Sequence, residues 1–260
     1  EKWEATIGPK IENYYMLAAT PSVYKPKVLK AFRFGGHGVA FGATTSTGLG
    51  IKYTGDNGFA SSVTVNSQGG DDAAGFLTKE DASKVNVMAA YTKDNYHVSA
   101  TYTTQTQGWD EWVYYSTSNV DAGDVAGTMD TDGWALRGWW RPDETGTIVP
   151  SVSVGYDTMT MTGQTKGYTD ASGYSIGLNW SDTFQAGDTI GVALGQPIKG
   201  TEKVNTTVAD DVDPFIWEAY YSFRPNDSIE ITPGIFGGSD SRADKNDDIF
   251  GAVITSTFRF

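Results

Sequence analysis

Between residues 10 and 44 the chain gathers Lys10, Lys25, Lys27, Lys30 and Arg33, followed by His37, against a single acid, Glu12. Everywhere else it is acidic enough to bring the formal net charge to -13. Cations grouped in this way act electrostatically, because charged side chains at a narrow passage set which ions cross it. The same lysines could equally lie on a solvated loop or face surface phosphates, and residue type alone leaves both readings open.

Covalent chemistry has little to work with. Cysteine is absent, which removes disulfides, thiolate metal sites and thiol nucleophiles together. The histidines are His37 and His97, and a lone histidine is more often structural than catalytic. Gly35-Gly-His-Gly38 imitates a phosphate loop but lacks the Lys-Ser/Thr ending and a following helix. The stretch Gln107 to Asp132 carries Asp110, Glu111, Asp121, Asp124, Asp130 and Asp132 without the spacing of a calcium loop. No enzyme activity, no cofactor and no metal are therefore expected. The acidic balance argues against nucleic acid as a partner.

A second set of charges, Lys52, Arg137, Arg141, Glu218, Arg224, Glu230 and Arg259, recurs in alternation with apolar residues and so depends on strands for its placement. About twelve strands can be marked by alternation and turn residues: 3–9, 45–53, 58–66, 84–91, 96–106, 133–141, 147–158, 172–180, 188–196, 214–224, 228–236 and 249–260. One face of each is free of charge, as in Val98/Ala100/Tyr102, Trp134/Leu136/Gly138/Trp140 and Phe215/Trp217/Ala219/Tyr221/Phe223. The opposite faces hold the charged set, where Glu4, Glu218 and Glu230 could neutralise the bases.

Such alternation fits a soluble sandwich with its uncharged face inward, or a membrane barrel with that face toward lipid. Connection lengths separate the two. Tight turns at 54–57, 93–95, 142–146, 181–187 and 225–227 alternate with long connections at 10–44, 67–83, 107–132, 159–171, 197–213 and 237–248. Outer-membrane barrels sort their connections in this manner, with short periplasmic turns and long extracellular loops. Tyr53, Phe59, Tyr91, Tyr96, Trp140, Trp180, Phe184 and Phe223 fall near the short-turn ends, at headgroup depth. No apolar run reaches the 18 or so residues of a spanning helix. The fold class expected is all-β: a transmembrane antiparallel up-and-down β-barrel, with 10–44 as an inward-folded constriction loop. Lys25, Lys27, Lys30, Arg33 and His37 would then sit at the constriction, and the charged set above would line the lumen. The final strand, with Phe258 and Phe260, reads as the C-terminal assembly signal.

The run Val23-Tyr-Lys-Pro-Lys-Val-Leu-Lys-Ala-Phe-Arg-Phe-Gly-Gly-His37, with Phe41-Gly-Ala43, Gly55-Asp-Asn-Gly-Phe59, Ile231-Thr-Pro-Gly-Ile-Phe236, Asn246-Asp-Asp248 and Phe258-Arg-Phe260, resembles the major outer-membrane porins of cyanobacteria. That group is similar to the carbohydrate-selective porin family. The resemblance implies that residues 1–260 are the C-terminal barrel portion of a longer chain. It implies further strands, giving 14–18 in all, and a peptidoglycan-binding surface-layer-homology domain that is absent here. Homotrimers in an outer membrane, in contact with lipid and lipopolysaccharide, are also implied. The expected function is passive diffusion of inorganic ions and small hydrophilic solutes. The alternatives are a plugged structural or adhesive barrel with surface-binding loops, and a secreted β-sandwich with a sugar-binding face.

Overall fold

The computed structural model describes residues 2–36, 40–41, 45–69, 75–76, 78, 81–106, 130–163, 167–204, 213–240 and 248–259. All the expected strands form: β1 (Lys2–Glu12), β2 (Thr45–Thr54), β3 (Phe59–Ser67), β4 (Ser83–Lys93), β5 (Tyr96–Gln105), β6 (Asp130–Trp140), β7 (Ser151–Thr162), β8 (Gly167–Ser181), β9 (Thr189–Val204), β10 (Phe215–Asn226), β11 (Ile229–Ser239) and β12 (Ile249–Phe258). They make one antiparallel 12-stranded sheet in the order of the sequence. A sandwich divides its strands between two sheets, so the soluble alternative is excluded. β1 pairs only with β2 and β12 only with β11, leaving both outer edges without a partner among the described residues.

Three boundaries differ from the sequence reading. β1 continues past Pro9 to Glu12 through a register shift between Gly8 and Ile11, which takes the proline out of the ladder. The first connection is accordingly 13–44 rather than 10–44. β7 starts at Ser151, so the turn expected at 142–146 is longer. The long connections expected at 159–171 and 197–213 are partly strand, with Gly167 opposite Val204 in a β8–β9 hairpin of 15- and 16-residue strands. A spanning strand needs only about 9 to 11 residues, so this hairpin projects beyond the others. Its outward Asp170 and Glu202 are admissible because they lie past the apolar zone.

The outward face carries two aromatic rungs. At the short-turn end, Trp3 packs on Tyr53, Tyr53 on Phe59, Tyr91 on Tyr96, and Tyr221 on Phe223 and Phe184. Six residues further along the same strands come Tyr102, Trp134, Tyr174 and Trp217, answering Tyr96, Trp140, Trp180 and Phe223. Six residues of strand span about 20 Å. Between the rungs lie only apolar or small groups, including Val98, Leu136 and Ile176, which are 56%, 47% and 37% exposed. Immediately above the second rung the face turns acidic, and the Tyr102 hydroxyl donates to Asp132 at 2.6 Å. Apolar band, aromatic girdles and an abrupt polar limit are what a lipid-facing barrel exterior requires.

Candidate functional site

The inward face is not open to water along most of its width. Thr64 on β3, Asn86 on β4, and Thr101 and Thr103 on β5 are all 0% exposed, and inward residues of β6–β11 are likewise buried. Part of their cover is the chain between β1 and β2. Residues 13–36 leave the long-loop end in a single 3-10 turn (Asn13–Met16), run down inside the wall, and return through Lys30–Gly35, where helical turns are broken by a kink at Arg33 and Phe34.

Two apolar clusters hold this segment. Leu17, Phe41 and Ala40 pack on the inward Ala60, Met88, Ala90 and Ala135. Tyr24 and Phe32, with Val28, Leu29 and Ala31, pack on Ala193, Ile216 and Tyr220. The wall makes room with glycine. A Cβ at Gly50 would stand 2.8 Å from Met16, one at Gly234 2.7 Å from Val28, and one at Gly177 would overlap the Tyr24 ring. The Gly35 carbonyl lies against Gly155 so closely that no side chain fits there.

Polar contacts fix the path. The Ala18 amide donates to Ser62 (3.1 Å), Trp139 to the Thr20 carbonyl (3.1 Å), and the Val23 and Tyr24 amides to Ser153 (3.1 Å each). Glu218 is fully buried and accepts the Tyr24 hydroxyl (2.6 Å) and the Val28 and Leu29 amides (3.1 and 2.5 Å). Arg137 donates to the Phe34 and Gly36 carbonyls (2.6 and 3.0 Å), pairs with Asp157 at 2.8 Å, and lies over the Phe41 ring. Because one segment touches the inward faces of β3, β6, β7, β8, β10 and β11, the sheet must curl around it.

The described residues among those named from sequence take the following places. Lys25, Lys27 and Lys30 are exposed, while Arg33 is partly buried over the rings of Tyr14 and Phe34, at 5.8 and 5.0 Å. Lys27 reaches Glu230 at 2.7 Å, where Arg224 and Arg259 also converge at 3.2 Å each. One carboxylate thus gathers three cations, leaving an excess of positive charge near the short-turn end. Lys52 pairs with Glu4 at 2.8 Å. Arg137 and Glu218, expected to line water, face inward but are 4% and 0% exposed. They bind the segment instead of the lumen, and the Arg137 partner is Asp157, not Glu218. Arg141 is exposed at the short-turn end and donates to the Asp94 carbonyl. His97 is buried, hydrogen-bonded to Thr92 and Ser99 and stacked on Trp139, a structural role. Phe258 is 59% exposed on the outward face of the β12 edge strand. His37, Phe260 and most of the acidic stretch 107–132 lie outside the described residues.

Solvent reaches inward side chains near both outer edges of the sheet, on β1–β2 and on β10–β12. There the side chains of Glu4, Lys52, Arg224 and Arg259 are 41%, 26%, 43% and 53% exposed. Lys25, Lys30 and Arg33 have no ion pair among the described residues. Sequence reasoning missed Asp157, Ser153 and Tyr24, which anchor the segment. The available signal was the set of glycines and small residues at inward positions.

No protein-family model matches the chain, and no curated protein sequence is similar to it. Among solved structures, it resembles OmpF of Salmonella typhi, solved in complex with daunomycin, with a TM-score of 0.56 and 12% sequence identity. The likeness covers 83% of this chain and 62% of the OmpF chain, so the chain spans less than two thirds of that porin. The fold is that of a porin barrel wall, an antiparallel up-and-down sheet with a segment inserted behind it.

Proposed function

We propose that this chain is part of a passive outer-membrane pore for inorganic ions and small hydrophilic solutes, belonging with the cyanobacterial porins it resembles. The observation that carries the reading is the inserted segment. It is pinned across the inward face and leaves Lys25, Lys27 and Lys30 exposed. The aqueous path runs between those cations and the β10–β12 and β1–β2 edges, and it favours anions. Unpaired edges cannot meet lipid, since each unsatisfied backbone group costs several kcal/mol there. Further strands therefore complete the barrel between β12 and β1, and homotrimers are the assembly. Lipid and lipopolysaccharide cover the exterior, peptidoglycan is held only through a separate N-terminal domain, and Phe258 with Phe260 forms the assembly signal.

Single-channel recording in planar bilayers tests the reading, with stable open steps expected. Replacing Lys25, Lys27, Lys30 and Arg33 with Gln moves the reversal potential toward cation preference under a salt gradient. An unchanged potential removes the segment from the pore.

A second reading has its own support in the burial of the inward faces of β3 to β10: a structural barrel in which residues 13–41 act as a plug. It requires that no stable open steps occur in the wild type, and that they appear once the segment is detached.

A further inference from the structure

Between the returning limb of the inserted segment and β8–β10 lies a cavity of about 300 Å³. Gly173 and Gly195 line it on the wall side, each so close to the neighbouring strand that a Cβ would meet its backbone, at 2.9 Å for Gly173 and closer still for Gly195. Phe32, Ile198 and Ile216 give it an apolar floor, and Lys30 and Arg33 also line it. The carboxylate in its lining, Asp157, is already engaged by Arg137 at 2.8 and 3.0 Å. The two cations are not offset by any carboxylate among the described residues.

We propose that this cavity binds small amphipathic monoanions, with an apolar body on Phe32, Ile198 and Ile216 and a carboxylate on Lys30 and Arg33. The volume is at the lower end of ligand pockets, which are typically apolar with a few polar groups that fix orientation. A bare inorganic ion leaves the apolar floor unmet, and a neutral apolar molecule gains nothing from the cations. A benzoate-sized acid satisfies both. The inference rests on the proposed aqueous path for access, and it names a solute class that would pause on that path.

The test uses the full chain in zwitterionic nanodiscs, with 4-fluorobenzoate as probe and 4-fluorobenzyl alcohol as its neutral counterpart. Binding is followed by ¹⁹F line broadening and corrected against empty discs. Saturable binding of the acid is expected, at least tenfold tighter than the alcohol. The K30Q/R33Q double variant should weaken the acid at least tenfold and leave the alcohol unchanged. A31F, which fills the recess from the segment side, should abolish saturable binding while both lysine and arginine remain. Equal binding of acid and alcohol, or an acid affinity unmoved by either variant, overturns the site. Conductance of the same preparations separates the two claims. Open steps without fluorobenzoate binding sink the site alone, whereas binding without open steps keeps the site and sinks the pore.

Discussion

Glu218 offers the sharpest perturbation of the inserted segment, because its carboxylate is fully buried and holds three donors of that segment. Glu218→Gln can keep all three contacts in geometry, with its carbonyl oxygen toward the two amides and its NH2 toward the Tyr24 oxygen. What it loses is the charge. Hydrogen bonds to charged groups contribute about 1.5–3 kcal/mol and neutral ones about 0.5–1.5, so the change costs about 1 kcal/mol per bond and roughly 3 in all. Glu218→Leu fills the space but leaves three buried donors without an acceptor, at about 1–3 kcal/mol each. The cheaper response is for the segment to lift and hydrate those donors, since the β9–β10 and β10–β11 ladders do not depend on the side chain. At about 1.4 kcal/mol per tenfold, the detached population rises roughly a hundredfold in the Gln variant and, at the middle of its range, roughly ten-thousandfold in the Leu variant. Trypsin cleavage after Lys27 and Lys30 in reconstituted protein reports that population when opening and reclosing are fast. Mean conductance should rise in the same order. If Glu218→Leu is cleaved at the wild-type rate while the barrel melts at a lower temperature, the carboxylate braces the wall and the latch argument is wrong.

The turn between β8 and β9 should be acid-labile. Burial alone would raise the Asp188 carboxyl, but the amides of Phe184, Thr183 and Gln185 and the Tyr221 hydroxyl outweigh it and hold the group below its usual 3.8. A depressed carboxylate adds stability that is complete above the unfolded value and fades as pH falls through the folded one. The melting difference between wild type and Asp188→Asn should therefore be full at pH 6, shrink as pH falls below the usual 3.8, and disappear once the folded-state carboxyl is protonated as well; a constant difference would refute the assignment. In vesicles with brominated acyl chains, emission from the outward Trp134 and Trp140 should be quenched, while a variant retaining only the inward Trp139, which donates to the Thr20 carbonyl, should be spared. Equal quenching of all three would reverse the two faces of the sheet. Without detergent or lipid the isolated protein should aggregate, and a monodisperse sample in plain buffer would count against the membrane orientation altogether.

Strand placement was legible because period-two alternation of an apolar or small face with a more polar one runs through the spanning part of the strands, as in Val98/Ala100/Tyr102 and Phe215/Trp217/Ala219. Turn chemistry at Gly55-Asp-Asn-Gly58 and Asn226-Asp227 located the hairpin ends on one side. The β7–β9 extension was harder to see, since Thr158, Thr160 and Asp170 alternate with Met159 and Ala171 just as a loop rich in Thr and Gly would. The cationic segment could be read as inward-folded from its charge alone, but its bracing could not. Arg137 and Glu218 have the spacing of water-facing residues, and only the identity of the atoms above them makes one a clamp for carbonyls and the other an acceptor for amides. Nevertheless the sequence holds a clue to that bracing. A lumen wall wetted throughout has no need of Gly50, Gly155, Gly177 and Gly234 at inward positions, where glycine weakens a strand and gives nothing to hydrate. Glycine is favoured there where another group approaches the wall closely. Met16, Gly35, Tyr24 and Val28 do so in turn. Inward glycines on alternating strands, together with one long basic connection, therefore specify an inserted segment, and the residues that meet those glycines are the ones whose loss should free it.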